Sequence, residues 1–189
     1  MNKCRWIFIL AMLCVFPVMA QQKELSWEEL REEFKCPAWF ADAKFGIWTC
    51  FGPQTQPEYG GGWYARHMYM QDVGKQQWGA RAYGYHCETY GHPSEIGYKD
   101  VINEWKAENL DADALLEYFK SIGAKYFMAM ANHHEHFDNF DSSYHPWNSV
   151  NVGPHRDIVG EFEKSTRKVG LPFAVSSHDD RFLGWWLPA

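Results

Sequence analysis

KYFMAMANHHEH, residues 125–136, carries the reading of this chain. Tyr126 to Ala131 is a short apolar run, too brief for a stable helix and bounded by polar residues. It reads as a strand buried on both faces, of the kind found in parallel sheets. At its C-terminal end the character switches to Asn132, His133, His134, Glu135 and His136. Alternating α/β folds place substrate or metal contacts at that end of a buried strand, so these side chains are the first candidates for function.

The pattern outward from this stretch is regular. Upstream, Asp111 or Asp113 caps a helix from Ala112 to Ile122, with Leu115, Leu116, Phe119 and Ile122 on one face and Gly123 as its stop. Downstream, Asp157 opens a second helix lined by Ile158, Val159, Phe162 and Val169 and ended by Gly170. Lys44 to Thr49 and Leu171 to Ser177 are the flanking apolar runs, and each leads into polar or glycine-rich loop residues. Strand, helix, strand, helix, strand predicts a parallel sheet with right-handed crossovers that delivers its polar residues at one rim. Ser26-Trp27-Glu28-Glu29 is a capping box that starts a short helix to about Phe34, and Tyr98 to Trp105 is briefly helical. Residues 71–98 read as a long loop. Gly60-Gly61-Gly62, just before Trp63, is either a plain surface turn or a place where backbone approaches a partner closely.

Three strands fall short of a closed barrel, which takes eight strands and about 250 residues. An open sheet of three would leave two edges unpaired. The expected fold class is therefore α/β, a partial TIM-like (β/α)8 barrel containing its first three strands only.

With 189 residues, 46% of them hydrophobic and 22% charged, the chain has enough apolar material for one real core and is not a disordered segment. Ten Trp and ten Tyr can fill that core or offer flat faces to sugar rings or bases. Lys3 and Arg5, the apolar run from Trp6 to Phe16, and Val18-Met19-Ala20 form a cleavable secretory signal over residues 1–20, too short to span a bilayer. Leu13 is too bulky to precede a lipoprotein Cys14. A periplasmic or secreted mature chain from residue 21 to 189, with no membrane span, is the expectation. Its loss of Lys3 and Arg5 moves the formal charge from −6 to −8, a surface that repels nucleic acid. Cys36, Cys50 and Cys87 remain, an odd number without a Cys-x-x-Cys pair, so neither a disulfide framework nor a zinc finger is indicated.

Three chemistries are open at the histidine stretch. His133 and His134 can donate hydrogen bonds to the hydroxyls of a polar ligand, provided the strand end bends and aims both into one cavity. His134-Glu135-His136 with His178 and Asp179 can bind a divalent metal, as in barrel hydrolases. In the third reading they are polar loop residues without a task. A glycosidase would need two carboxylates facing each other, and Glu135, Asp138, Asp141, Asp179 and Asp180 are the candidates near strand ends. Spacing does not pair them. No Ser-His-Asp order, P-loop or dinucleotide fingerprint occurs in the chain.

In order along the chain stand KFGIWTCFGPQ (44–54), WYARHM (63–68), AENLDADALLEYFKSIGAKYFMAMANHHEHFDNFDS (107–142), WNSVNVGPHRDIVGEF (147–162) and RKVGLPFAVSS (167–177). Together they resemble the N-terminal half of family 29 glycoside hydrolases, the α-L-fucosidases. The resemblance implies a (β/α)8-like catalytic barrel and retaining hydrolysis of terminal α-L-fucosyl groups on glycans or oligosaccharides, with no metal and no cofactor. It also implies that His133 and His134 bind fucose hydroxyls and that Trp63 lies against the sugar. Cys50, Ser177 and His178 complete the candidate substrate-binding set.

The chain departs from the family pattern at several of these positions. Cys50-Phe51-Gly52 replaces His-Trp-Gly, Gly62 replaces the Glu before the Trp, His136 replaces the Gly of HHDGF, and Ser176-Ser177 replaces a Tyr pair. A looser pocket, or one that takes a relative of fucose, is the consequence. The family's nucleophile, at the end of a fourth strand, and its acid/base residue are expected beyond residue 189, so the chain is expected to be inactive alone. Two alternatives stand beside this reading: a metal-dependent barrel hydrolase using His134, His136 and His178, and a non-catalytic sugar-binding remnant.

Overall fold

The structure, a computed structural model, describes residues 25–71 and 81–179. The expected signal segment lies outside the described residues, as does Asp180. The chain divides into two compact units, Met1–Ala38 and Trp39–Ala189. In the first, α1 (Trp27–Glu33) is held by the reciprocal capping box its sequence announces. Ser26 Oγ accepts from the Glu29 amide at 3.2 Å, and Glu29 Oε2 accepts from the Ser26 amide at 2.9 Å. Such a cap contributes about 1 kcal/mol to a helix that buries none of its residues.

The second unit is built on three parallel strands. α2 (Ala38–Ala43) leads to β1 (Ile47–Thr49), and α3 (Tyr64–His67), α4 (Ala82–Thr89), α5 (Tyr98–Glu104) and α6 (Ala112–Ser121) follow. Then come β2 (Phe127–Asn132), α7 (Ile158–Lys168) and β3 (Phe173–Ser177). The sheet order is β1-β2-β3, all parallel, with β2 in the centre as its apolar run requires. Asp111, not Asp113, caps α6, accepting from the Ala114 amide at 3.0 Å, and Asp157 caps α7 through the Gly160 amide at 2.8 Å. Gly123 (φ 99°) and Gly170 (φ 74°) take the left-handed turn that stops each helix. Two expectations change. Residues 82–89 of the predicted long loop are helical, and Ile122 stands exposed at the end of α6 rather than on its buried face.

Why the helices lie where they do follows from period two in the strands. Ile47, Phe127 and Phe173 are in register on one face. On that face Phe127, fully buried, meets Phe119 of α6, Phe162 of α7 and Phe173 with ring centroids 5.8, 5.2 and 6.4 Å away. Trp48, Met128, Ala174 and Ser176 point the other way, where Trp48 is half exposed. Its indole N–H donates to Ser176 Oγ at 2.7 Å, tying β1 to β3 across that open face.

A buried polar pair anchors the β1–β2 crossover. His86 Nε2 lies 2.8 Å from the Ile96 carbonyl, which can only accept, so this nitrogen carries the proton. Nδ1 then accepts from the Tyr64 hydroxyl at 2.7 Å. Burial holds the His86 imidazole below its ordinary value of 6.5, against the smaller opposing pull of that carbonyl, and burial followed by the Arg66 charge does the same to His67. A depressed histidine means that the unfolded chain binds more protons below pH 6.5 than the native one. Stability is therefore complete above pH 6.5 and is lost as pH falls beneath it. A thermal midpoint at pH 5 clearly below that at pH 7.5 is the expected result, and equal midpoints would refute it.

Candidate functional site

The polar rim at the C-terminal ends of the strands is shaped by one irregularity. The β2–β3 register runs evenly to Met130↔Ser176 and then shifts, so that Asn132 pairs with Ser177. Beyond it the chain turns sharply, the His136 amide bonding the His133 carbonyl at 2.9 Å. In a straight strand His133 and His134 would face opposite ways. Here the bulge and turn bring their rings to 4.6 Å, and His178, whose amide donates to Asn132 O at 3.1 Å, closes a triangle at 4.6 Å from each. His133 and His134 are almost wholly buried, at 2% and 1% exposure, and His178 is half buried.

Neighbouring elements surround the cluster. Trp63 sets its ring nearly perpendicular to that of His134, with centroids 5.6 Å apart, and carries the Arg66 guanidinium 5.8 Å from its own centroid. It is placed there by the glycine run: Gly60 and Gly61 adopt φ of 74° and 63°, which favour glycine, and swing the chain into the tight turn Gly61–Trp63. A Cβ on Gly62 would stand 3.3 Å from His133 Nε2 and 3.9 Å from Cys50 Sγ, so thiol and imidazole border the same space. The Cys50 thiol donates to Met130 Sδ at 3.3 Å and accepts from Gln54 Nε2 at 3.4 Å. Desolvation, with a smaller contribution from the Glu135 charge, raises it above its ordinary 9.0 and keeps it neutral, although the Gln54 bond opposes the shift.

The acidic residues hold the imidazoles and the loop. Buried Glu135 sets Oε2 3.1 Å from His133 Nδ1. Asp138 accepts from Asn132 Nδ2 at 3.2 Å and lies 2.8 Å from His145 Nε2, while Asn139 ties the loop to Phe51 O and Met130 O. Behind Glu135 lies a cavity of about 400 Å³ bordered by Tyr69, Tyr98, Lys99 and Trp147. The Tyr98 hydroxyl, buried beside it, is held well above the usual tyrosine range by burial first and the Glu135 charge second. Glu135 and Asp138 therefore act on neighbouring side chains.

The structure thus brings together His133, His134, His178 and Trp63, with Cys50 at the border. The Ser177 hydroxyl lies 2.8 Å from both Asn132 Oδ1 and Asp179 Oδ1, on the side of β3 away from Ser176. Among the described residues the convergent trio is His133, His134 and His178, not the His134, His136 and His178 of the metal alternative. His136 takes the left-handed φ of 59° that ends the turn. The sequence reading missed the roles of Glu135 as a partner of His133 and of Asn139 as a brace. A carboxylate two residues after a histidine was visible, but its direction depends on the turn.

Comparison with known proteins identifies the family. Residues 11–186 match the family model described as Alpha-L-fucosidase. The Alpha-L-fucosidase of Dictyostelium discoideum is 31% identical over 166 residues, which cover 87% of this chain and 35% of that protein. The Tissue alpha-L-fucosidase of Mus musculus is 32% identical over 163 residues, covering 86% and 33%. A crystal structure of Thermotoga maritima alpha-fucosidase with a mechanism based inhibitor superposes with a TM-score of 0.68 at 32% identity, over 83% of this chain and 38% of that one. The chain spans about a third of the length of the curated relatives it matches.

Proposed function

The chain belongs to the α-L-fucosidase family, and on that basis we propose that it forms the sugar-holding part of a retaining α-L-fucosidase acting on fucosylated glycans. The observation that carries the proposal is the convergence of His133, His134 and His178 at 4.6 Å separations beside the Trp63 ring. Imidazoles offer both donor and acceptor nitrogens to hydroxyls, and an indole offers an apolar face to the C–H side of a pyranose. Such a pocket mixes a few placed polar groups with an aromatic wall, which is the usual make-up of a small-ligand site. Cys50 and Gly62 leave one side of it less crowded and less polar, so a deoxy-sugar has room there.

The sheet supports a larger barrel. The face bearing Trp48, Met128, Ala174 and Ser176 is opposite the helices, and further strands closing a (β/α)8 barrel would bury it. Export to the periplasm or beyond, by the segment at residues 1–20, is part of the same proposal; among the described residues no helix is long and apolar enough to cross a membrane.

Turnover by these 189 residues alone is not part of it. Retaining hydrolysis requires two carboxyl groups about 5–5.5 Å apart across the scissile bond. Glu135 and Asp138 are committed to His133, Asn132 and His145, and Asp179 to Ser177. The purified chain is expected to bind L-fucose in a saturable titration and to release no nitrophenol from nitrophenyl α-L-fucoside. Absence of fucose binding at millimolar sugar would overturn the binding proposal, and steady nitrophenol release would overturn the claim of inactivity.

A further inference from the structure

We propose that Tyr98 is a positioning residue for the sugar site, its hydroxyl donating to Glu135 Oε1 so that Oε2 of the same carboxylate holds His133 in one tautomer and one orientation. The purpose of the contact rests on the sugar reading; the contact itself does not. Two buried atoms point to it. The Tyr98 hydroxyl and Glu135 Oε1 are both shielded from solvent, and neither has a hydrogen-bond partner among the described residues. One is a donor and the other an acceptor, and buried polar atoms are rarely left unsatisfied. Both side chains border the cavity of about 400 Å³ that lies between the β1–β2 connection and the loop after β2.

Of the groups whose charge reaches the Tyr98 hydroxyl, Glu135 acts most strongly. The others already hold partners. Tyr64 bonds His86, Tyr69 accepts from the Tyr98 amide at 2.8 Å, and the Cys50 thiol is engaged by Met130 and Gln54. The last torsion of a glutamate is soft, so a small turn of the carboxylate, or one water held in the cavity, joins the two atoms. The hydroxyl itself is a fixed point. Tyr98 opens α5, is 3% exposed, and packs its ring against Tyr64 with centroids 6.3 Å apart. Burial keeps its proton on, so it stays a donor. On the other side of the carboxylate, Oε2 lies 3.1 Å from His133 Nδ1 and can only accept, so Nδ1 carries the proton. A carboxylate held at one oxygen can pivot, whereas one held at both keeps the imidazole where it is. The packing of the β1–β2 crossover thereby reaches the rim through Tyr98, Glu135 and His133.

The test is long-range ¹H–¹⁵N NMR of the histidine rings in the 189-residue chain, with the His133 signals assigned by their loss in His133→Gln, and an L-fucose titration beside it. Tyr98→Phe removes one oxygen and keeps the ring. With native circular dichroism, it should shift the His133 Nδ1 and Nε2 signals toward a mixture of tautomers and weaken fucose binding about threefold to tenfold. That effect should vanish in the Glu135→Gln background. The double variant should bind fucose within about twofold of Glu135→Gln alone, whereas a merely structural hydroxyl gives losses that multiply. Tyr118→Phe, at an exposed tyrosine, should change neither readout. His133 signals that stay put in folded Tyr98→Phe, or losses that multiply, would overturn the proposal. If Tyr98→Phe does not fold, the hydroxyl proton of Tyr98 in the unchanged chain decides: Glu135→Gln should move its resonance, and a resonance that stays put also overturns it. A parent chain that binds no fucose removes the sugar reading, while the ring signals still decide this one.

Discussion

Phe127→Ala is expected to unfold most of the second unit. Its phenyl ring is fully buried at the centre of the middle strand and touches the aromatic rings of α6, α7 and β3. Truncating such a side chain removes its transfer free energy and leaves a cavity that three other rings cannot refill without leaving their own rotamers. That loss costs about 3–5 kcal/mol. A unit at the lower end of the usual range of about 5–15 kcal/mol keeps little or none of its stability afterwards. Urea denaturation followed by circular dichroism should show a midpoint far below that of the unchanged chain, or no folded baseline. Tyr144→Ala, at a side chain 94% exposed, serves as the control and should fall within about 0.5 kcal/mol of the parent. A loss below about 1 kcal/mol for Phe127→Ala would mean that this aromatic cluster does not hold the helices to the sheet.

The position of Phe127 was legible from sequence because apolar residues on both faces of a strand leave a composition signature. An uninterrupted apolar run between polar ends needs no partner information to be read as a central strand. The helix caps at Asp111 and Asp157 and the glycine stops were legible for a similar reason, since each depends on residues a few positions apart. Two things were not. The helix over Ala82–Thr89 has apolar and polar residues mixed around its circumference, so no 3.6-residue period marks it. The membership of the imidazole trio depends on a register shift between Met130 and Asn132 and on the turn ending at His136. Residue types predict neither. Alternation along an extended backbone selects His134 with His136, whereas the bent backbone selects His133 with His134 and brings in His178 from the next strand. Ser177 shows the same effect in reverse: period two along β3 gives Ser176 and His178 one face and sends the Ser177 hydroxyl to Asn132.

His134→Ala is expected to abolish measurable fucose binding while leaving the fold in place. The ring is almost wholly buried and sits between Trp63 at 5.6 Å and the two other imidazoles at 4.6 Å, at the centre of the proposed sugar contacts. A hydroxyl brought among them gives up its bonds to water, and without His134 it finds no replacement. Each buried polar group left unsatisfied costs about 1–3 kcal/mol, and two hydroxyls meeting one imidazole would lose roughly 100-fold in affinity or more. A partial pocket binds a monosaccharide weakly at the outset, so this decrease places the variant beyond detection by titration. Glu135→Gln separates orientation from contact. It leaves all three rings present but replaces a charged acceptor at His133 Nδ1 with a neutral amide, so fucose binding should weaken by only about tenfold. If His134→Ala keeps native circular dichroism and binds fucose as the parent does, these imidazoles do not hold the sugar, whatever family the chain belongs to. If Glu135→Gln instead loses as much as His134→Ala, the orientation of His133 matters more than the number of rings, and the pocket depends on the turn that carries Glu135.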